Sequence, residues 1–361
     1  MRFARSLRRA FVVSEGGGRS GVRGGEAGRS SGATGGGRLS RRAWLGGAIA
    51  ASAGCGKAAG EPGVVRVGYA ANLTHSPMLV SAASGRLARA TGLRVETRVF
   101  RAGPRVVEAL LGRAIDVGVC GPAPLLAAHA RLGPGKLVVL GGCASGGASL
   151  VLARGVEANA PADLRGRTLA TPQIGSTQDV ALRRWLSRGG VRARDRGGEV
   201  RVTALAPAVA KAEMMRGGLD GAWMPEPWAT LLVHQASGRR LLDERELWPG
   251  GVFASALLAS RGEFVAARPD DARRVREAID AEVARAIAEP AALRDEAYAE
   301  LTRLRTNPGP RVWFDEAAGH IDFRADLMRP AVEAFARDAE GLGVLPSAAC
   351  EGLFYTPAAS S

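Results

Sequence analysis

The feature that most constrains the fold of this chain is an alternation of strand-like and helix-like segments that begins at Val64. The pattern predicts strands at 64–70, 93–100, 115–120, 136–144 and 148–155, with helices at 76–92, 103–114 and 124–133. Strands separated by helices pair in parallel through crossover connections, so helices cover both faces of the sheet. The sequence therefore predicts an α/β protein with a mostly parallel sheet.

The alternation restarts after residue 162 and predicts a second lobe with its own sheet. The predicted strands are 163–172, 199–205 and 220–224, with helices at 176–188 and 208–218, a further strand at 251–260, and helices across 269–306 and 311–340. We expect lobe I to comprise residues 64–148 and 246–361, and lobe II residues 149–245. The chain then crosses between the lobes twice, near Ser149 and near Arg245.

The net charge of +14 would fit a nucleic-acid-binding protein, but much of it lies in the first 54 residues. Ten arginines stand there against only Glu15 and Glu26. The remaining excess is spread along predicted helices and forms no single basic run, so we interpret it as solvated helix faces. We expect no nucleic-acid partner.

The segment from Ser40 to Cys55 has the pattern of an export signal. Arg41 and Arg42 precede a short apolar stretch that is too short to span a membrane, and small residues lead to the cysteine. The pair resembles a twin-arginine signal, and Cys55 ends what resembles a lipoprotein cleavage box, although Ser52 replaces the usual bulky aliphatic residue. We predict that 1–54 is a leader and export signal, that Cys55 is lipidated, and that 55–63 is a linker. The mature protein is then expected in the periplasm or on the outer face of the cytoplasmic membrane.

The remaining cysteines do not predict a metal site. Cys120, Cys143 and Cys350 form no C-x-x-C pair, and the four histidines have no ligand spacing. Cys120 and Cys143 each end an apolar run, where two buried free thiols are favoured over a disulfide. We expect no metal and no cofactor.

Ligands of open α/β sheets bind where strands lead into helices, so these turns are the candidate sites. In the first turn, Ser76 is a predicted N-cap, which leaves Asn72, Thr74 and His75 able to face a ligand. In the second turn, Gly121 allows close backbone approach and Pro122 enters the helix. A satisfied surface histidine is the alternative for His75.

The third turn, within ATPQIGSTQDVALRRWL, places Ser176, Thr177, Gln178 and Asp179 at a helix start. Ser176 and Asp179 fit a variant capping box, and serving only as caps is their alternative role. Helix N-termini favour anions through unpaired N–H groups. Because none of the three turns contains Lys or Arg, we predict that neutral donors alone hold a singly charged oxyanion.

A fourth feature is the sequence DGAWMPEPWAT, in which Glu226 stands between two prolines and Trp228 follows. The prolines make the turn stiff and fix whatever these side chains contact. Trp228 could cover the alkyl part of a ligand, and Glu226 could meet a cationic group or help close the lobes. The alternative is a core tryptophan and an exposed glutamate.

Together these motifs resemble the solute-binding proteins of bacterial ABC importers in the nitrate, sulfonate, taurine and bicarbonate group. The resemblance covers about residues 64–260 through GYAANLTHSPMLV, GRAIDVGVCGPAPLL, GGASLVLARG, TPQIGSTQDVALRRWL and DGAWMPEPWAT. It implies a type II periplasmic-binding-protein fold with a ligand cleft between two lobes and two hinge crossings. It also implies a monomer that delivers its ligand to an ABC permease and its ATPase. The ligand-facing residues it implies are Asn72, Thr74, His75, Gly121, Pro122, Ser149, Ser176, Thr177, Gln178, Glu226 and Trp228.

An aliphatic sulfonate or a taurine-like compound is the ligand that we expect. Taurine is favoured if Glu226 faces the cleft. Nitrate or bicarbonate is an alternative, which the PEPW turn favours but the GSTQD turn weakens. A heteroaromatic thiamine precursor is another alternative on the same fold. An enzyme resembling thiamine-pyrimidine synthases is a remote one, because the chain lacks their cysteine-rich motif; we expect no catalysis.

Overall fold

The computed structural model describes residues 62–356, so the predicted export signal, Cys55 and the start of the linker lie outside the described residues. The strands are β1 Val64–Ala70, β2 Arg94–Phe100, β3 Val117–Cys120, β4 Leu137–Gly146, β5 Ala148–Leu152, β6 Thr168–Thr171, β7 Arg201–Ala204, β8 Gly221–Pro225, β9 Arg239–Asp243, β10 Ala254–Arg261 and β11 Ile321–Phe323. The helices are α1 Ser76–Ala83, α2 Arg86–Thr91, α3 Gly103–Leu111, α4 Pro122–Leu132, α5 Thr177–Arg188, α6 Pro207–Met215, α7 Trp228–Gln235, α8 Gly262–Ala267, α9 Pro269–Ala288, α10 Pro290–Arg303, α11 Arg311–Ala318 and α12 Arg329–Gly341.

The strands form two mixed sheets. The first has six strands in the order β11-β4-β10-β3-β1-β2, and the second has five in the order β7-β6-β8-β5-β9. The strand–helix–strand units pair in parallel, as β1 does with β2 and β3, and as β6 does with β7 and β8. The antiparallel pairs involve β10, β11 and β5. The predicted α/β class is confirmed, with more antiparallel pairing than expected.

The chain passes between the two sheets at two places. It leaves the first sheet at the end of β4 and enters the second at β5, with Gly147 between them. It returns between Asp243 and Ala254 through two short 3₁₀ turns. Both passages leave the carboxyl end of a strand, β4 in the first case and β9 in the second.

Apolar side chains cover both faces of the first sheet. Along β10, Ala256 and Leu258 join one hydrophobic cluster, whereas Leu257 and Ala259 join another, as the two-residue period of a strand requires. A third cluster surrounds the second sheet, and α5 contributes the predicted stripe of Leu182, Trp185 and Leu186 to it. That stripe fixes the position of the helix whose first residues reach the site.

Three sequence-based boundaries were wrong. The helix predicted at 76–92 is two helices, because Gly85 adopts a φ of +72°, which an α-helix cannot continue. The helix predicted at 311–340 is interrupted by β11, whose backbone pairs antiparallel with β4, a tertiary contact that periodicity does not reveal. Strand β9 was not predicted, because RRLLD lacks a clear alternation.

No helix within residues 62–356 combines the length and the apolar character needed to cross a membrane. The same residues contain no group of three His, Cys, Asp or Glu side chains that could hold a metal ion. Cys120 and Cys143 are buried free thiols, as favoured over a disulfide, and burial raises the pKa of both well above the ordinary thiol value.

Candidate functional site

A cavity of about 650 Å³ lies where the turns after β1, β2, β3, β6 and β8 converge. Its size falls within the roughly 300–1,000 Å³ that is usual for small-molecule sites. The structure brings eight of the eleven predicted site residues to its wall: Asn72, Thr74, His75, Gly121, Ser176, Thr177, Gln178 and Trp228. We call the members of the first three turns the cavity floor: Asn72, Thr74, His75, Gly121, Ser176, Thr177 and Gln178.

The turn after β1 is held by its own hydrogen bonds. The Asn72 Oδ1 accepts from the His75 backbone N–H at 3.2 Å and from the Thr74 hydroxyl at 2.9 Å. Asn72 thereby caps a short 3₁₀ turn that runs into α1, whereas the predicted N-cap, Ser76, donates its hydroxyl to the Leu73 carbonyl at 2.7 Å. The capping prediction for Ser76 was therefore wrong, because a 3₁₀ turn precedes the helix. With its oxygen engaged in this way, Asn72 has its amide NH₂ group available as a donor.

His75 is buried and uncharged, and does not have the surface position considered as its alternative. It is 5% exposed, and burial lowers its pKa to about 3. Its Nδ1 accepts a hydrogen bond from the Ala70 backbone N–H at 3.0 Å. Because Nδ1 is an acceptor in a neutral ring, the proton resides on Nε2. His75 therefore contributes a neutral N–H donor to the cavity wall.

The turn after β6 divides its side chains between capping and the cavity. The Ser176 hydroxyl accepts from the Asp179 N–H at 3.3 Å, and the Asp179 carboxylate accepts from the Gly175 N–H at 3.0 Å. The Ser176 cap predicted from the sequence is therefore present, but the reciprocal bond of a capping box is not, because Asp179 accepts from the Gly175 N–H instead of the Ser176 N–H. In the described part of the chain, the side chains of Thr177 and Gln178 make no hydrogen bond to another residue, so their polar groups can serve a ligand.

The helix starts of α4 and α5 approach each other across the cavity. Thr177 is only 4% exposed, and a Cβ added at Gly121 would overlap its hydroxyl and lie 3.2 Å from the Ser255 carbonyl. A side chain at this position would require the Thr177 side chain to shift or the turn of the first sheet to separate from that of the second. The close approach at Gly121 is therefore to the turn after β6 in the second sheet. Pro122, the first residue of α4, is buried and is not part of the cavity wall.

The arginines one turn into α5 serve the scaffold. Arg183 pairs with Asp179 at 3.1 Å and with Asp195 at 2.9 Å. Arg184 forms an ion pair with Asp338 of α12 and lies 4.2 Å from the ring centre of Trp248. Neither arginine lines the cavity. The helix start is therefore left to neutral donors, as the sequence predicted.

Glu226 and Ser149 lie behind the cavity wall. Glu226 is fully buried, with its Oε1 2.8 Å from Arg240 Nη1 and its Oε2 accepting from the Thr230 N–H at 3.0 Å. Arg240 also donates to the Ser149 hydroxyl. The Glu226 carbonyl accepts from the Leu73 N–H at 3.2 Å, which joins the PEPW turn directly to the turn after β1. Glu226 therefore meets an internal cation and positions the turn that carries Trp228.

Two arginines line the cavity, against the expectation that no basic side chain takes part. Arg101 follows β2 and Arg305 follows α10; both are exposed, and they are called the cavity rim below. The turn after β2 was not considered, although it ends a strand at the same edge. The segment around Arg305 carries no strand signal, so only the tertiary fold places it here. Further wall residues missed from sequence are mostly apolar, among them Val99, Phe100, Pro104, Pro124, Pro172, Pro207 and Leu304, with Ser255 and Thr306 as polar members.

Comparison with known proteins identifies one group by sequence and another by fold. The taurine-binding periplasmic protein of Escherichia coli (strain K12) is 27% identical over 219 residues, which are 60% of this chain and 66% of that protein, just under two thirds of its length. The alkanesulfonate-binding protein of Xanthomonas axonopodis pv. citri, solved bound to MOPS, has a TM-score of 0.66 at 21% identity, covering 80% of this chain and 96% of that one. The periplasmic nitrate-binding protein of Synechocystis PCC 6803 has a TM-score of 0.66 at 18% identity, covering 78% and 82%.

These likenesses confirm the periplasmic-binding-protein fold predicted from the sequence. A sequence model of the NMT1-like family matches residues 58–301, which include every strand except β11 and most of the cavity wall. The chain belongs to the NMT1-like family.

Proposed function

We propose that this chain is the solute-binding component of an ABC importer, and that its cavity binds an organic sulfonate. The observation that carries the proposal is the convergence of three turns on one cavity floor that offers neutral donors. These are the Asn72 amide, the His75 Nε2–H, the Thr177 hydroxyl and the Gln178 amide, beside the N-terminus of α5. A sulfonate has three oxygens and one charge, which matches several neutral donors and a helix dipole.

The cavity favours an organic anion over nitrate or bicarbonate. Its volume of about 650 Å³ is far larger than either inorganic ion needs. Phe100, Leu304 and Trp228 supply an apolar wall, which would bury the carbon part of a ligand. The relatives whose names state taurine, alkanesulfonate and nitrate binding support the same group of ligands.

The partners of the protein follow from this role. We propose an ABC permease and its ATPase as the recipients of the ligand. We also propose that the protein acts as a monomer and catalyses no reaction. Export by the segment that ends at Cys55, followed by lipidation there, would hold it at the outer face of the cytoplasmic membrane or in the periplasm. A protein with Cys55→Ala that still fractionates with membranes would contradict the anchor.

Ligand-dependent melting tests the function directly. Purified residues 62–361 are heated with 1-propanesulfonate, nitrate, bicarbonate or an aminopyrimidine. We expect 1-propanesulfonate to raise the melting temperature, because a ligand that binds only the folded state stabilises it by mass action. A melting curve that no sulfonate moves at millimolar concentration, or one that only the pyrimidine moves, would overturn the proposal.

A further inference from the structure

The charges around the cavity are all of one sign. Arg101 and Arg305 line it, and among the described residues no Asp or Glu does. Glu226, which stands directly beside the wall residue Pro225, is fully buried and already paired with Arg240. A ligand bound here therefore meets no carboxylate that could accept a hydrogen bond from an ammonium group.

An adjoining groove extends the same pattern beyond the rim. It shares the segment from Val99 to Ala102 with the cavity and adds Arg98 and Arg105. Its one carboxylate belongs to Glu108, which lies 2.6 Å from Arg105 Nη1 and is thereby engaged. The groove that adjoins the cavity consequently carries a net positive charge. A cationic group of a ligand that reached it would meet arginines.

Apolar wall residues stand directly beside the rim arginines in the chain. Val99 and Phe100 precede Arg101 and Leu304 precedes Arg305, so the body of a ligand that approaches the rim can contact their carbon atoms. An ammonium placed here would lose water beside two like charges and would gain no carboxylate partner, which is unfavourable for a charged group. An uncharged alkyl end loses nothing comparable, and an anionic end gains the arginines.

We propose that the cavity selects sulfonates whose far end is uncharged or anionic and discriminates against aminosulfonates such as taurine. The inference rests on the proposed function, since it takes the sulfonate to bind at the cavity floor. Floor and rim then have separate roles. The floor recognises the sulfonate oxygens, and the rim with the apolar residues beside it determines which substituent can accompany them.

Calorimetric titration with three matched ligands tests the selection. Taurine ends in an ammonium group, 1-propanesulfonate has a methyl group at the same position, and 3-sulfopropanoate has a carboxylate there. We expect the Kd of 1-propanesulfonate to be about tenfold lower than that of taurine. We expect 3-sulfopropanoate to bind at least as tightly as 1-propanesulfonate. Taurine binding as tightly as 1-propanesulfonate, or more tightly, would overturn the selection while leaving the proposed function standing. Binding of none of the three would instead overturn the proposed function, and the selection with it.

Two rim variants test whether Arg101 and Arg305 cause the difference in affinity between taurine and 1-propanesulfonate. Arg101→Glu and Arg305→Gln should each narrow the gap between taurine and 1-propanesulfonate, by about three- to fivefold for exposed charges. Arg154→Glu is the matched control, since Arg154 is an exposed turn arginine outside the cavity wall. The melting temperatures of the free variants report whether they fold. A gap that stays the same in both folded rim variants, or that narrows equally in the control, would overturn the role of the rim.

Discussion

The floor and the rim of the cavity bind charge in different ways. On the floor, Thr74, His75 and Thr177 are almost fully buried and carry no charge. On the rim, Arg101 and Arg305 are exposed and charged. Buried neutral donors that the surrounding structure already holds in place need little rearrangement to meet an anion, whereas exposed arginines act through water and are screened by salt. The comparison predicts that affinity comes from the floor and selectivity from the rim.

We expect the largest loss of affinity from a substitution that disturbs the contact between the turns of Gly121 and Thr177. Gly121→Ala adds a methyl group where the Thr177 hydroxyl already stands. We expect the affinity for 1-propanesulfonate to fall by about 100-fold or more, roughly 3 kcal/mol, measured by calorimetry. Gly341→Ala is the control, because its added Cβ meets no atom within 4 Å. Unchanged affinity of Gly121→Ala would mean that the approach of α4 and α5 is irrelevant to binding.

A milder change separates binding from capping within one turn. Thr177→Val keeps the shape but removes the hydroxyl, and should weaken sulfonate binding by about 1–3 kcal/mol with little effect on the melting temperature of the free protein. Ser176→Ala should instead lower the free energy of unfolding by about 1 kcal/mol, because the helix loses its N-cap, and should change the affinity little. Thr177→Ser should restore most of the binding. If Thr177→Val lowered only stability, Thr177 would belong to the helix cap rather than to the floor.

The neutral state of His75 makes a prediction about pH. Its folded pKa, about 3, lies below the ordinary value of 6.5, so between these values the unfolded chain binds more protons and stability falls as the pH is lowered. From pH 7.5 to pH 5.5, we expect His75 to account for a loss of about 1.4 kcal/mol in the free energy of unfolding. Urea unfolding of the wild type and of His75→Gln at both pH values measures it. An equal loss in both proteins would show that His75 does not carry the effect.

The sequence was informative where function depends on local structure. The start of α5 was predicted to within a residue, because Ser176 and Asp179 form a capping arrangement that neighbouring residues determine. The floor could be predicted for the same reason, since each of its turns ends a strand. The position of Glu226 could not be predicted, because its partner Arg240 lies on β9, a strand without a sequence signal.

The rim was missed for a different physical reason. Arg305 follows a helix and reaches the cavity only because the C-terminal helices pack back against the first sheet, through contacts far apart in sequence. Nothing in the residues around it distinguishes it from the many arginines on helix surfaces. Motifs at strand ends thus indicate what kind of group is bound, but the residues that select among related ligands come from segments that only the fold brings together.

A crystal structure with 1-propanesulfonate bound tests the division between floor and rim most directly. The account predicts sulfonate oxygens within hydrogen-bond distance, about 3.2 Å or less, of Thr177 Oγ1 and His75 Nε2, with the propyl group toward Trp228 and Phe100. A sulfonate bound by Arg101 or Arg305, with the alkyl chain against Thr177 and His75, would contradict it.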